Sequence, residues 1–142
     1  MGGRRSGAKT SSVFRTRITK SLQTSTILTV ADNSGAKLAK IIAVKGYHGR
    51  LNRYPKACVG DLVIVSIKKG NPDLRKKILK AVIVRQKKEI RRLDGSRISF
   101  EDNACCIVAD DGDPKGSRVS GPIAREAADL WPRLSNIASL II

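Results

Sequence analysis

Two groups of neighbouring acidic residues are the places where this sequence could carry acid–base or metal-ion chemistry. Glu101 and Asp102 are adjacent, and residues 110–113 (DDGD) bring three carboxylates together. An enzyme that processes RNA would need such a cluster to hold metal ions, or a general base with a pKa near neutrality. Adjacent residues of a strand point to opposite faces, and residues 110–116 read as a polar turn with Gly and Pro. We therefore predict that the protein is not an enzyme.

The histidine and cysteine residues are too sparse for a metal site or a disulfide framework. His48 is the single histidine, and the cysteines, Cys58, Cys105 and Cys106, are odd in number, with two adjacent and no C-x-x-C spacing. We expect them to be buried as small apolar side chains in a reducing compartment. Residues 110–116 also lack the spacing of a calcium-binding loop. We predict no metal and no cofactor.

Phosphate binding is the chemistry that the composition favours. Lys and Arg number 28 against 12 Asp and Glu, which gives a net charge of +16 and a pI near 10.4. This charge predicts a polyanionic partner, and nucleic acid is the first candidate. Aromatic residues make up only 4% of the chain, whereas modules that stack single-stranded bases need several. We therefore expect contact with the phosphate backbone.

The positive charge is concentrated in the first part of the chain. Residues 1–100 carry 24 Lys or Arg and 5 Asp or Glu, whereas residues 101–142 carry 4 and 7. Basic residues that only solvate a surface would be intermixed with acidic ones, so we assign the first part to phosphate contact. The candidate binding residues cluster in predicted loops and in one hairpin, and they are Arg50, Arg53, Lys68, Lys69, Arg75, Lys76, Lys77, Lys87, Lys88, Arg91, Arg92 and Arg97.

Short apolar runs rich in β-branched residues separate these basic segments and predict β-strands. In the run that begins at Ile78, apolar residues occupy both odd and even positions and so would point to both faces of a strand. This pattern predicts a central strand that is buried on both faces. A basic hairpin follows it and closes at Asp94-Gly95, a dipeptide typical of tight two-residue turns. We place strands at residues 26–30, 36–44, 62–67, 78–84 and 104–109.

The last part of the sequence predicts two short helices. Pro122 suits the first position of a helix, and Pro132 ends that helix after about two and a half turns and starts the second. Apolar residues recur at helical spacing in both, as Ile123, Ala127, Leu130 and Trp131 in the first and Leu134, Ile137, Ala138 and Ile141 in the second. Strands followed by two helices predict a mainly β fold, a small β-barrel with a helical appendix.

We divide the chain into a basic, flexible tail (1–21), a barrel core that binds nucleic acid (22–120) and a helical appendix (121–142). Residues 1–20 hold few apolar side chains, too few to offset an ordering cost of about 1–2 kcal/mol per residue. Deletion of residues 2–20 is therefore expected to leave the melting temperature nearly unchanged. No export signal opens the chain, and no segment approaches the roughly 20 apolar residues of a membrane span, so we predict a cytoplasmic protein.

Six short motifs, taken together and in order, resemble a known family. They are ADNSGA (31–36), VGD (59–61), KAVIVR (80–85), DG (94–95), FEDNA (100–104) and GPIARE (121–126). From about residue 22 to the end, the sequence resembles the large-subunit ribosomal protein "L fourteen" family. The segments GRLNR (49–53), FEDN (100–103) and WPR (131–133) are similar to the archaeal and eukaryotic branch of that family.

The resemblance implies a five-stranded barrel on the subunit face of the large ribosomal subunit. It implies binding to large-subunit rRNA, contact with small-subunit rRNA in intersubunit bridges, and ribosomal protein three and the twenty-four e-type protein as neighbours. In archaea and eukaryotes the C-terminal region would also receive the anti-association factor, initiation factor six. The alternative is a free basic β-barrel of the OB type, which fits the charge but requires exposed aromatic residues on its strands.

Residues 121–142 have too little positive charge for RNA to be their main partner. An aromatic residue beside an arginine often anchors a protein interface, and the WPR junction has this composition. This composition indicates a protein interface, with Ala128 on the outward ridge of the first helix. The resemblance to the archaeal and eukaryotic branch implies that the anti-association factor docks there, at Leu130, Trp131 and Arg133. The other reading is that Trp131 is a plug over one end of the barrel.

Overall fold

The computed structural model describes residues 17–142. This part of the chain contains short strands and two helices, with a closed barrel at the centre. The strands are β1 (Leu22–Gln23), β2 (Ile27–Val30), β3 (Ala36–Val44), β4 (Lys56–Ala57), β5 (Leu62–Gly70), β6 (Ile78–Arg85), β7 (Ile90–Arg91), β8 (Arg97–Ile98), β9 (Ala104–Val108), β10 (Val119–Ile123) and β11 (Ala138–Ile141). The helices are α1 (Arg125–Leu130) and α2 (Pro132–Ile137).

The barrel confirms the predicted fold class, a five-stranded β-barrel with two short C-terminal helices. Its strands follow one another in the order β2-β3-β5-β6-β9. Neighbouring strands are antiparallel, except at the seam where β9 runs parallel to β2 and closes the barrel. The seam is short, because only Thr29 and Val30 pair with β9. The carboxylate of Asp32, which is buried, accepts a hydrogen bond from the amide of Ile107 (2.8 Å) and so extends the seam.

Alternating burial along β5 shows which side chains fill the barrel. Val63, Val65 and Ile67 are fully buried, whereas the residues between them are partly exposed. Residues paired across a sheet project from the same face, so Ala81, which pairs with Val63, also points inward. The inward face of each strand is therefore the apolar one, as the sequence pattern predicts.

The C-terminal segment covers the outer face of β6. Val82 lies on that outer face, because it pairs with the partly exposed Leu62, and yet it has no exposed surface. Val84, two residues further, is also fully buried, and its carbonyl accepts a hydrogen bond from the amide of Ala124 (3.1 Å). The predicted burial of β6 on both faces is thus confirmed from Ala81 onward. The first residue, Ile78, is 66% exposed because it lies beyond the cover.

The basic hairpin between β6 and β9 consists of β7 and β8. Its loop has three residues rather than the predicted two, since the amide of Arg92 bonds to the carbonyl of Ser96 and that of Gly95 bonds to the carbonyl of Arg92. Gly95 has a φ of 88°, the left-handed conformation that ends a three-residue hairpin loop. The carboxylate of Asp94 accepts hydrogen bonds from the hydroxyl and the amide of Ser96, which lower its pKa.

The prediction that the first C-terminal helix begins at Pro122 is wrong. Gly121 and Pro122 lie in β10, which pairs in parallel with β11, and α1 begins only at Arg125. Gly121 has a φ of 76°, which no right-handed helix allows. The second helix does begin at Pro132, as predicted, but it ends at Ile137, and the residues from Ala138 onward form β11 instead of a third helical turn. Long-range pairing therefore overrides the local helical periodicity.

The start of the described chain packs on the barrel core. Ile18 is only 7% exposed, and the carbonyl of Thr19 accepts a hydrogen bond from the side-chain amide of Gln86 (3.4 Å). Gln86 is fully buried and also accepts a hydrogen bond from the amide of Val59 (3.2 Å). Residues 1–16 of the predicted tail lie outside the described residues. The predicted domain boundaries stay predictions, but Ile18 gives a place to test the first of them.

Two deletions locate the boundary of the tail. Removal of residues 2–16 should leave the melting temperature nearly unchanged, because this segment holds few apolar side chains. Removal of residues 2–20 also takes away Ile18, and the loss of such a buried side chain costs about 2–5 kcal/mol. We now expect a drop of more than about 5 °C for the longer deletion, measured by circular dichroism. Equal melting temperatures for the two deletions would place Ile18 outside the core.

Candidate nucleic-acid interface

The alternation of strand direction places the basic residues at two opposite ends of the barrel. The connection from β5 to β6 lies at one end, which we call the β5–β6 end. The long loop from β3 to β5 and the hairpin between β6 and β9 lie at the other, which we call the hairpin end. Both ends are built from connections between strands whose apolar residues fill the core, so the fold separates the charge from the core.

A buried leucine fixes the cations at the β5–β6 end. Leu74 is 7% exposed and anchors the connection between the strands. The amide of Arg75 bonds to the carbonyl of Asn71 (3.1 Å), and that of Lys76 to the carbonyl of Ile67 (3.0 Å). The connection is therefore held by its own backbone hydrogen bonds. The predicted residues exposed at this end are Lys68 and Lys69, at the end of β5, and Arg75, Lys76 and Lys77, in the connection.

A second group of predicted residues is exposed on and beside the basic hairpin. Ile90 is 1% exposed and anchors β7 in the core. Arg91 pairs directly across the hairpin with Arg97, so two cations project side by side from one face. Arg97 also donates a hydrogen bond to the carboxylate of Glu89 (2.8 Å), an exposed ion pair. The exposed cations of this group are Lys87, Lys88, Arg91 and Arg97.

The loop from β3 to β5 adds Arg50 and Arg53, both exposed, to the hairpin end. A backbone hydrogen bond from Arg53 to Arg50 (3.1 Å) turns the chain between them. The same loop exposes 72% of Tyr54, a residue that the charge-based analysis leaves aside. An exposed ring beside a cation can stack on a base. The sequence signal for an exposed Tyr54 is its position between Arg53 and Pro55, in a segment that shows neither helical nor strand periodicity.

Arg92 differs from the other predicted residues because its charge is already engaged. Its guanidinium donates to both carboxylate oxygens of Glu126, at 3.0 and 3.4 Å. It also donates to the backbone oxygen of Ile142 at 2.6 Å. Its side chain is only 21% exposed. The structure therefore directs Arg92 toward the C-terminal segment rather than toward solvent.

An ion pair between the buried Arg85 and the partly exposed Asp102 supports the hairpin end. The guanidinium donates to both oxygens of the Asp102 carboxylate, at 2.9 and 3.1 Å, and to the carbonyls of Ser120 and Pro122, at 2.8 and 3.1 Å. It is 8% exposed. Sequence reasoning does not identify this pair, although a lone arginine at the end of an apolar strand is a signal for a buried partner. Glu101, beside Asp102, is exposed, and both lie in a bend before β9 rather than on a strand.

Two acidic residues of the turn after β9 are paired with cations. Asp110 forms an ion pair with Lys80 (2.9 Å), which lowers the pKa of its carboxyl group, and Asp113 pairs with Arg133. Among residues 17–142, no group of three or more His, Cys, Asp or Glu side chains could hold a metal ion. Burial, followed by the nearby Asp32 carboxylate, raises the pKa of Cys106 to about 12. Its thiol therefore stays protonated near neutral pH and is not an activated nucleophile.

The residues predicted to dock a protein factor contact the barrel. The indole of Trp131 donates a hydrogen bond to the carbonyl of Gly60 (2.9 Å) and is partly exposed. The side chain of Leu130 lies over Gly60 so closely that a Cβ there would come within 2.7 Å of it. Arg133 is exposed and pairs with Asp113. Ala128, expected on an outward ridge, is instead 6% exposed, because the inner side of α1 packs on the barrel.

Comparison with known proteins agrees with this architecture. Residues 21–142 match the family described as ribosomal protein L14p/L23e. The large ribosomal subunit protein uL14 of Methanocella arvoryzae is 50% identical to the chain over 129 residues, which cover 91% of this chain and 98% of that protein. Barrel and similarity together define a structural, non-enzymatic protein of the large ribosomal subunit. The chain belongs to the ribosomal protein L14p/L23e family.

This membership confirms the family that the six motifs indicate, and the archaeal relative fits the predicted branch. It also confirms the predictions of a protein that is not an enzyme and of a component of the cytoplasmic large subunit. Within residues 17–142, no helix is both long and apolar enough to cross a membrane.

The ion pair beneath the hairpin end can be tested with two neighbouring acids. Replacement of Asp102 by Ala leaves the buried guanidinium of Arg85 without its carboxylate, which should lower the free energy of unfolding by about 1–3 kcal/mol. Replacement of the exposed Glu101 by Ala should change it by less than about 0.5 kcal/mol. Urea denaturation of both variants measures the difference. Equal stabilities would show that the pair contributes nothing to the fold.

Proposed function

We propose that this protein is an architectural rRNA-binding protein that holds RNA by its phosphate backbone at two opposite ends of the barrel. The observation that carries the proposal is the separation of charge: eleven of the twelve predicted cations are exposed at those ends. Two separated cationic ends can contact two RNA segments at once. The barrel would thus bind large-subunit rRNA and also contribute to bridges with small-subunit rRNA.

The way the basic connections are held supports phosphate contact. Leu74 and Ile90 are buried anchors of the two connections, so their backbones are ordered before RNA binds. Pre-organised loops lose less conformational entropy on binding. Cations reach the backbone of any RNA sequence, whereas base recognition needs exposed aromatic rings or planar side chains. Ile27 and Ile42, two large apolar side chains exposed on the barrel strands, are aliphatic rather than aromatic. A free OB-type binder of single strands would carry aromatic rings at such positions, so these residues favour the proposed function.

The partners follow from the same assignment. We propose ribosomal protein three and the twenty-four e-type protein as neighbours in the large subunit, and initiation factor six as the factor that docks on the C-terminal segment. Leu130, Trp131 and Arg133 are the proposed docking residues. Trp131 and Leu130 pack partly against Gly60, so Arg133 is the one among them whose side chain is most open to a partner.

Replacement of one cation at each end tests the RNA contact. Lys77→Ala and Arg91→Ala should each reduce the salt dependence of rRNA binding, the slope of log K against log salt, by about 0.7–0.9. Lys40→Ala removes the same charge from a partly exposed residue in the middle of β3, between the two ends, and should leave the slope unchanged. Filter binding to large-subunit rRNA at several salt concentrations gives the slopes. Unchanged slopes for both test variants would refute phosphate contact at the two ends.

Docking of initiation factor six is best tested with an exposed residue. Truncation after Pro132 would remove Leu134, which is fully buried, together with β11, so a loss of binding could reflect unfolding. Arg133→Ala should instead weaken factor binding to large subunits by about fivefold or more, the range of an interface anchor. Lys40→Ala, on β3, again serves as the control. Full affinity of the Arg133→Ala subunits would remove Arg133 from the docking surface.

A further inference from the structure

The basic hairpin is tied to the C-terminal segment through Arg92. Besides the two contacts with Glu126, the guanidinium reaches the backbone oxygen of Ile142. That oxygen also accepts a hydrogen bond from the amide of Arg125 (2.9 Å), and the amide of Ile142 donates to the carbonyl of Ile123 (3.0 Å). One side chain of the hairpin thus meets α1 and the residue after β11, and that residue is in turn bonded to β10. Glu126 is only 15% exposed, so solvent screens this ion pair less than a surface pair.

The hairpin has few other means of holding its position. Its strands are paired through only two residue pairs, Ile90 with Ile98 and Arg91 with Arg97, and a hairpin of this length is marginal by itself. The second pair sets two cations opposite each other, which destabilises the pairing. Ile90 fixes the base of β7 in the core, but it does not fix the direction of the loop at 93–95. An additional contact near that loop is therefore needed to orient it.

We propose that Arg92 is a positioning residue, which holds the hairpin against Glu126 and Ile142 so that Arg91 and Arg97 face the RNA. This assignment rests on the proposed function, because it assumes that the hairpin contacts rRNA. It removes Arg92 from the predicted phosphate contacts and gives Glu126, an acidic residue, a supporting part in RNA binding. The arginine fork suits this role because it donates in two directions at fixed angles.

The sign of the effect at Glu126 separates positioning from simple electrostatics. Removal of an acidic residue makes a basic protein more positive and, by charge alone, strengthens its binding to RNA. If Glu126 orients the hairpin through Arg92, its removal weakens binding despite the gain in charge. Asp129 provides the matched control, because it is an exposed acid on the same helix and has no ion pair among residues 17–142.

The experiment titrates large-subunit rRNA, transcribed in vitro, with full-length Glu126→Ala and Asp129→Ala proteins at several salt concentrations. We expect Glu126→Ala to bind at least about threefold more weakly than Asp129→Ala, because the cost of ordering the hairpin on binding rises. Its salt slope should be unchanged, since Arg91 and Arg97 still reach the same phosphates in the complex. Arg92→Ala should behave in the same way, whereas Arg91→Ala should lower the slope. Glu126→Ala that binds as tightly as Asp129→Ala would overturn the proposal. An unchanged slope for Arg91→Ala would instead overturn the hairpin as an RNA contact.

A double-mutant cycle and hydrogen exchange keep the result independent of overall stability. In a protein that already carries Arg92→Ala, the further change Glu126→Ala should alter RNA affinity no more than Asp129→Ala does, because the two residues act through one contact. Amide exchange in residues 90–98 should be faster in Glu126→Ala than in Asp129→Ala, while exchange in β5 stays the same. Additive losses of affinity, or equal exchange in the hairpin, would each contradict the positioning role.

Discussion

The guanidinium of Arg85 joins three parts of the chain at one point. It lies at the end of β6, pairs with Asp102 on the segment that returns from the hairpin, and donates to two carbonyls of β10. A buried cation is stable only when each donor finds an acceptor, so these three segments must arrive together. The interaction thereby fixes the base of the basic hairpin and the start of the C-terminal segment at the same point.

The C-terminal segment has a structural role besides any docking role. The outer face of β6 is apolar at Val82 and Val84, and these side chains would be exposed without a cover. The hydrogen bond from Ala124 to Val84 and the packing of α1 supply that cover. A surface on which a factor could bind is therefore also the outer wall of the barrel. Different side chains of the segment serve the two roles. Ala127 and Ala128 are buried and form part of the outer wall of the barrel.

The barrel strands could be predicted from the sequence because local pattern and burial agree there; β3 has the predicted limits of Ala36–Val44. The start of α1 could not, since the helical spacing from Ile123 is compatible with both a helix and a strand, and pairing with β11 decides between them. Arg92 looked like its neighbours in the basic hairpin. Only its partners, 34 and 50 residues away in sequence, distinguish it. Charge patterns predict where cations occur but not which of them are already paired.

The short seam between β2 and β9 has a consequence for how the chain folds. The Asp32 carboxylate and the amide that it binds are 75 residues apart, so the barrel cannot close until β3, β5 and β6 have assembled between them. Contacts of such long range form slowly. Until closure, both edge strands expose unpaired backbone groups that can join another chain. A newly synthesised molecule with this topology therefore folds through an intermediate with an open sheet that is prone to aggregation. A chaperone, or early contact with RNA, would shorten the lifetime of that intermediate.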